Sequence, residues 1–302
     1  ALAGSLVATS AFAGEMSVAG SASINLEHTN GGAADTGKTF SMGNQLTFSG
    51  GGELDNGLNV ALSFVIDQGD DTAIASGPFD SHSVTISSDG LGSLKFSGEG
   101  GSSALTALDG TAAGDIWDNF DIASTVHPTG VGGGDNSMMY TLPAMVDGVA
   151  LNLSYTPRGT ADSTVAYSVS YTGMENLTVN YALGDGSADN TDGEAMKISY
   201  VMGPLTGTYT NYEYSGATAA TSDDTSSYAV TYLLPGDELS ITYGAETVER
   251  GTLQDVETWK VSAAYTAGGM TISGAMMEID NMDGTTTTTQ DRERWALGLS
   301  FA

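Results

Sequence analysis

The stretch Glu15-Met16-Ser17-Val18-Ala19-Gly20-Ser21-Ala22-Ser23-Ile24-Asn25-Leu26-Glu27-His28 decides the fold. Its even positions, from Met16 to Leu26, are apolar or small, and its odd positions, from Glu15 to Glu27, are polar or small. Side chains on a β-strand point alternately to opposite faces, so this segment has one greasy face and one wet face. At about 3.3 Å per residue, a dozen such residues reach roughly 40 Å. Strands of soluble domains are usually shorter, near 5–6 residues. A tilted strand that crosses a bilayer needs about 9–11 residues. The greasy face is therefore expected to meet lipid.

The same alternation runs outward to the C-terminus, cut by turn residues. Phe40, Met42, Leu46 and Phe48 share one face, and Leu58, Val60, Leu62, Phe64 and Ile66 follow after the hairpin signal Asn56-Gly57. The pattern stops between about 99 and 134, then resumes as Leu151-Leu153-Tyr155, Val165-Tyr167-Val169-Tyr171 and their successors, down to Trp295-Leu297-Leu299-Phe301. The strand near 204–215 alternates poorly. Val256 and Trp259 fall on opposite phases, which predicts a bulge near Thr258. The count is about sixteen strands, with short links alternating with long polar ones, the layout of an outer-membrane barrel. Tyr155, Tyr171, Tyr181, Tyr200, Tyr232, Tyr243, Tyr265 and Trp295 lie on the apolar phase, as the interfacial girdles of such a barrel require.

Composition narrows the function. The chain carries 37 acidic against 8 basic residues, a net charge of −29, which repels nucleic acid and attracts cations. It has no cysteine, so thiolate chemistry and disulfides are excluded. No apolar run is long enough for a transmembrane helix, and a closed barrel is then the remaining way across a bilayer. Ala1 to Ala13 reads as the remnant of an export signal ending in Ala11-Phe12-Ala13, leaving 14–302 as one barrel domain. An enzyme is not expected. His28, His82 and His127 are scattered, no nucleophile elbow or P-loop occurs, and the glycine-rich 130–134 opens no helix.

The segment Asn136-Ser137-Met138-Met139-Tyr140-Thr141-Leu142-Pro143, followed by Gly148 and Leu151-Asn152-Leu153-Ser154-Tyr155, resembles a stretch of general bacterial porins. Glu15 to Ala22 resembles the start of alphaproteobacterial porins, and the last strand ends on an aromatic as theirs does. The resemblance implies an all-β, transmembrane antiparallel barrel of sixteen strands in the bacterial outer membrane, usually trimeric, whose long third loop folds inward and narrows the channel. Here that loop is 99–134, with Asp109, Asp115, Trp117, Asp118 and Asp121. Family members oppose such acids with arginines and lysines on the wall. The early strands of this chain have no arginine, and Lys95 is the one basic residue expected to face their lumen side.

An acidic constriction with few counter-charges favours cations over anions. The expected function is a water-filled, cation-preferring pore for passive diffusion of ions and small hydrophilic solutes, set among outer-membrane lipid and lipopolysaccharide. Two alternatives remain open at this point: a secreted acidic surface-layer or adhesive β-protein, and a substrate-specific sugar porin. No cofactor is expected. Asp67, Asp70 and Asp71, and Asp185, Asp189 and Asp192, are weak calcium candidates without EF-hand spacing.

Overall fold

The computed structural model describes residues 16–31, 37–67, 80–108, 110–120, 130–159, 162–186, 191–236, 238–284 and 291–301. The export-signal reading of 1–13 lies outside them, as do Asp70, Asp71, Asp109, Asp121, His127 and Asp189. The strands are β1 (Met16–Asn30), β2 (Gly37–Glu53), β3 (Asn59–Asp67), β4 (Ser81–Ser88), β5 (Gly92–Glu99), β6 (Ser137–Thr141), β7 (Val149–Thr156), β8 (Thr164–Met174), β9 (Leu177–Asp185), β10 (Asp192–Met202), β11 (Leu205–Ser215), β12 (Asp223–Leu233), β13 (Leu239–Arg250), β14 (Val256–Ala267), β15 (Met270–Asp280) and β16 (Arg292–Phe301). Each pairs antiparallel with its sequence neighbours, and β1 pairs with β16 to close the barrel. Closure leaves no edge, so the strand backbones are satisfied without water.

The alternation assigns the two faces. Met16, Val18, Phe40, Met42, Leu62, Tyr167, Tyr200, Ile272, Met276 and Leu297 are all exposed on the outside, where a soluble protein would bury them. The opposite phase faces the lumen. Short turns such as Glu175-Asn176 and Gly203-Pro204 join strands at one end, and the long connections lie at the other.

Two local expectations are corrected. β14 runs in continuous register with β15 from Glu257 to Ala267, with no bulge at Thr258. Val256 is off the apolar phase because it points inward and is buried there. The register shifts that do occur lie at His82/Ser83 and Tyr171/Met174. The poor alternation of β11 has the same origin as Val256. Tyr209 faces out, whereas Tyr212 faces in and is buried beneath the third loop.

Candidate functional site: the inward loop and the channel it leaves

The chain leaves β5 through Gly100 and does not return to the sheet until Ser137. The two limbs of this loop meet where Gly101 and Gly134 exchange backbone hydrogen bonds. Gly132, Gly133 and Gly134 all hold positive φ, near 77–79°. At Gly133 a Cβ would lie 2.9 Å from the Gly101 carbonyl oxygen and the Ser103 nitrogen, so the close approach of the limbs requires glycine there. Ser103 Oγ donates to the Val131 carbonyl at 2.8 Å and ties the limbs again.

From Ala104 the loop travels around the inside of the wall, crossing strand after strand. Ala104 N donates to Ser154 Oγ on β7 (2.9 Å). Leu105 and Val131 sit in a buried patch with Ala166 on β8, Ala182 on β9, Ala195 on β10 and Tyr212 on β11. The Gly110 carbonyl accepts from Lys197 Nζ on β10 (3.4 Å). Ala112 N donates to Thr210 Oγ1 on β11, and Ala113 N to Ser227 Oγ on β12, both at 2.9 Å. Wall residues here are alanine and glycine because the loop backbone needs their space. A Cβ on Gly244 would lie 2.7 Å from that of Ala113.

Glu246 on β13 is the loop's main polar anchor. Its carboxylate accepts from Thr111 Oγ1 at 2.7 Å and from Trp117 N at 2.6 Å, and the residue is only 3 % exposed. Beyond it, a 3-10 turn, Ile116–Phe120, presses Ile116, Trp117 and Phe120 onto Val248, Val256, Met277, Ile279 and Met282. Arg294 on β16 ends the path, donating to the Asn119 carbonyl while pairing with Glu27 on β1. Among the described residues the loop is thus seated on β7–β16, and the lumen-phase residues of β1–β5 are exposed or half-buried apart from Val65 and Ser97.

Sequence-predicted site residues divide accordingly. Asp115 and Asp118 are both on the loop. Asp115 holds a left-handed turn (φ 47°), its Oδ1 accepting from Thr111 N at 3.0 Å while its own N–H donates to Thr111 Oγ1 at 2.7 Å. Asp118 is exposed on the 3-10 turn. Lys95 is on the β1–β5 wall, on the same face of β5 as Ser97, with no hydrogen bond or ion pair among the described residues. The other lumen-phase cations, Lys197, Arg250, Lys260, Arg292 and Arg294, stand on β10–β16. Lys197 and Arg294 hold loop carbonyls, and Arg250 pairs with buried Asp223 at 3.2 Å. The β1–β5 wall instead offers Ser17, Ser21, Ser23, Asn25, Ser41, Gln45, Thr47, Ser63 and Thr85. Of the calcium candidates, Asp185 and Asp192 face each other across β9–β10 on the outward phase, and Asp67 ends β3 on the lumen phase. Among the described residues no three metal-ligating side chains converge.

Glu246, Lys197 and Arg294 were not singled out by sequence. A signal was present: an acid at 246 and apolar residues at 248, 256, 277 and 279 on the phase that elsewhere is polar mean that something covers that wall from within.

A closed barrel with an apolar outer face, a polar lumen and a loop folded into it defines a membrane channel rather than an enzyme. The profile of the Gram-negative porin family matches residues 1–302, and the chain belongs to that family. Solved structures agree in fold. Two variants of Rh. blastica porin, one with a glutamate-to-methionine and an alanine-to-tryptophan replacement and one with three acidic residues replaced, superpose with TM-scores of 0.68 and 0.69 at 14 % identity, covering 95 % of this chain and 99 % of theirs. A structure described as concerning asymmetric conductivity of engineered proteins superposes with TM-score 0.68 at 15 % identity and the same coverage. No curated protein sequence matches the chain. Porin family and sixteen-stranded barrel together place the protein in the outer membrane as a channel, and the secreted adhesive alternative falls away.

Proposed function

We propose that this porin is a passive, cation-preferring channel for ions and small hydrophilic solutes, with its constriction between the exposed side of the third loop and the wall of β1–β5. The observation that carries the reading is where the basic residues are. Lys197 and Arg294 are engaged beneath the loop and Arg250 with Asp223, whereas Asp118 is exposed on the loop and Lys95 is the basic residue of the opposite wall. A passage edged by a carboxylate and hydroxyl groups lowers the energy of a cation and raises that of an anion. Asp109 and Asp121 belong to the same loop and add to its negative charge. The test is the zero-current potential of single channels in a potassium chloride gradient, for the native chain and for Asp118→Asn. A cation-selective potential that weakens in the variant supports the reading, and an anion-selective native channel refutes it.

The working unit is a homotrimer among outer-membrane lipid and lipopolysaccharide. Its support is an asymmetry in the outer face. Outward tyrosines occur on β6–β14 (Tyr140, Tyr155, Tyr167, Tyr171, Tyr181, Tyr200, Tyr209, Tyr228, Tyr232, Tyr243, Tyr265), and the chain has no tyrosine before Tyr140. The outer face of β1–β5 carries Val18, Leu26, Phe40, Met42, Leu46, Leu62 and the stacked pair Phe48–Phe64 instead. Lipid-facing barrel walls carry aromatic girdles with polar tips; a sector without them suits contact with a second copy. Light scattering in detergent should give three chains per particle, and Leu46→Asp should reduce this to one.

A further inference from the structure

We propose that Glu27, on the first strand, is a positioning residue of the channel: through Arg294 it fixes the end of the third loop, and with it the carboxylate of Asp118. Three segments far apart in sequence meet at one guanidinium. Arg294 on β16 donates through one terminal nitrogen to the Asn119 carbonyl and pairs through the other with the Glu27 carboxylate. Strand register explains the reach. Arg294 lies across from Thr29 and Glu27 across from Ala296, so the two charges are diagonal neighbours on the lumen face of the β1–β16 seam. Both side chains are largely buried there, 18 % and 23 % exposed.

Asn119 is where the loop needs holding. Ile116–Phe120 is a single 3-10 turn, and the last carbonyls of such a turn have no partner within it. The Asn119 side chain turns back to the Asp115 and Ile116 carbonyls, at 3.3 and 3.1 Å, and its own carbonyl goes to Arg294. The apolar seat holds Ile116, Trp117 and Phe120 against the wall, whereas Asp118 is exposed between them. Arg294 therefore grips the backbone one residue beyond Asp118.

The arginine depends on Glu27 to do this. A long, rotamer-rich side chain holds one geometry only when enough bonds offset the freedom it loses. A guanidinium engaged on two sides has its plane fixed, so the Glu27 bond aims the nitrogen that serves the loop. Glu27 is also the only carboxylate on the lumen phase of β15, β16 and β1. Beside Arg294 on that face stand Met277 and Thr29, and two residues along β16 stands Arg292, a like charge. Without Glu27 nothing on these strands draws Arg294 toward the loop end. The inference rests on the constriction proposed above. Its readout below is the position of the loop rather than ion flow, so failure of this inference and failure of the selectivity reading are told apart.

The chain has no cysteine, so Asp118→Cys carries a single spin label at the loop end. The test is the mobile fraction of that label in the reconstituted full chain, alone and combined with Glu27→Gln, Arg294→Gln or both. Each single variant is expected to raise the mobile fraction about fivefold, the effect of losing one charge-assisted hydrogen bond. The double variant should rise no further, because the two residues act as one unit. Arg294→Lys keeps the charge without the fork and should match Arg294→Gln, with barrel melting unchanged throughout. A label as ordered in Glu27→Gln as in the native background, additive effects in the double variant, or full order in Arg294→Lys would each overturn the proposal and reduce Glu27 to a lumen charge.

Discussion

The inner wall of this barrel comes in two kinds. Along β8–β15 a belt of lumen-facing residues is buried: Ala166, Ala182, Ala195, Thr210, Ser227, Glu246, Val248 and Met277 are covered by the third loop as a core is covered. Along β1 the pattern is open on both faces, with Ser17, Ala19 and Ser21 exposed inside and Met16, Val18 and Gly20 exposed outside. Both walls share the same antiparallel neighbour-to-neighbour pairing. What differs on the inward phase is the cover: the covered wall sets alanines and apolar side chains among hydroxyls that bond the loop, such as Ser154, Thr210 and Ser227, whereas the hydroxyls of the open wall, such as Ser17 and Ser41, are exposed. A barrel strand therefore encodes two surfaces independently, and the inward one records whether protein or water lies against it.

The largest expected break in that contrast is at the apolar seat. Phe120→Ala removes a ring that is 2 % exposed against Val248, Val256 and Ile279. It should weaken loop docking by about 3–5 kcal/mol, read as faster hydrogen exchange at the Trp117 and Ala113 amides with the barrel intact. Glu246→Ala deletes the acceptor of two hydrogen bonds and leaves Thr111 and Trp117 unpaired. The expected loss is about 3 kcal/mol, accompanied by a larger, noisier single-channel conductance as the loop leaves the wall. Glu246→Gln keeps one acceptor oxygen and should fall between alanine and the native chain. Gly244→Ala drives a methyl group into Ala113 at 2.7 Å and should cost about 1–3 kcal/mol by overpacking. The same change on the open wall, Gly43→Ala, meets only the Ser23 hydroxyl and should cost less in thermal unfolding. Smallest in stability are the charge changes. Lys95→Gln should leave unfolding within about 0.5 kcal/mol yet move the zero-current potential further toward cation selectivity.

Much of this was legible in the sequence, and the part that was not has one cause. Period-two alternation placed Phe40, Tyr167 and Trp295 outside and Lys95 inside, because lipid imposes the same demand on every strand. It failed at Val256 and Tyr212, where the covering layer is the loop itself, more than a hundred residues away in sequence. A strand-by-strand reading treats an inward valine as a slipped register. Recognising it instead as a seat for a distant segment requires Val248, Met277 and Ile279 to be taken together with Ile116 and Phe120. The acids of the loop were found by type, but type does not separate Asp115, turned back to hold Thr111, from Asp118, exposed on the 3-10 turn. Nor does it reveal that Glu246, a wall residue, is the acid that keeps the loop in place.

The proposed cation selectivity arises between the exposed side of the loop and the open wall. The most direct test is the zero-current potential of the reconstituted channel under a potassium chloride gradient, in the native chain and in Asp118→Asn. A potential of cation-selective sign, reduced by the Asn substitution and increased by Lys95→Gln, is the predicted result. An anion-selective sign in the native channel would contradict it and would mean that the arginines and lysines of β10–β16 reach the permeant ion despite the loop.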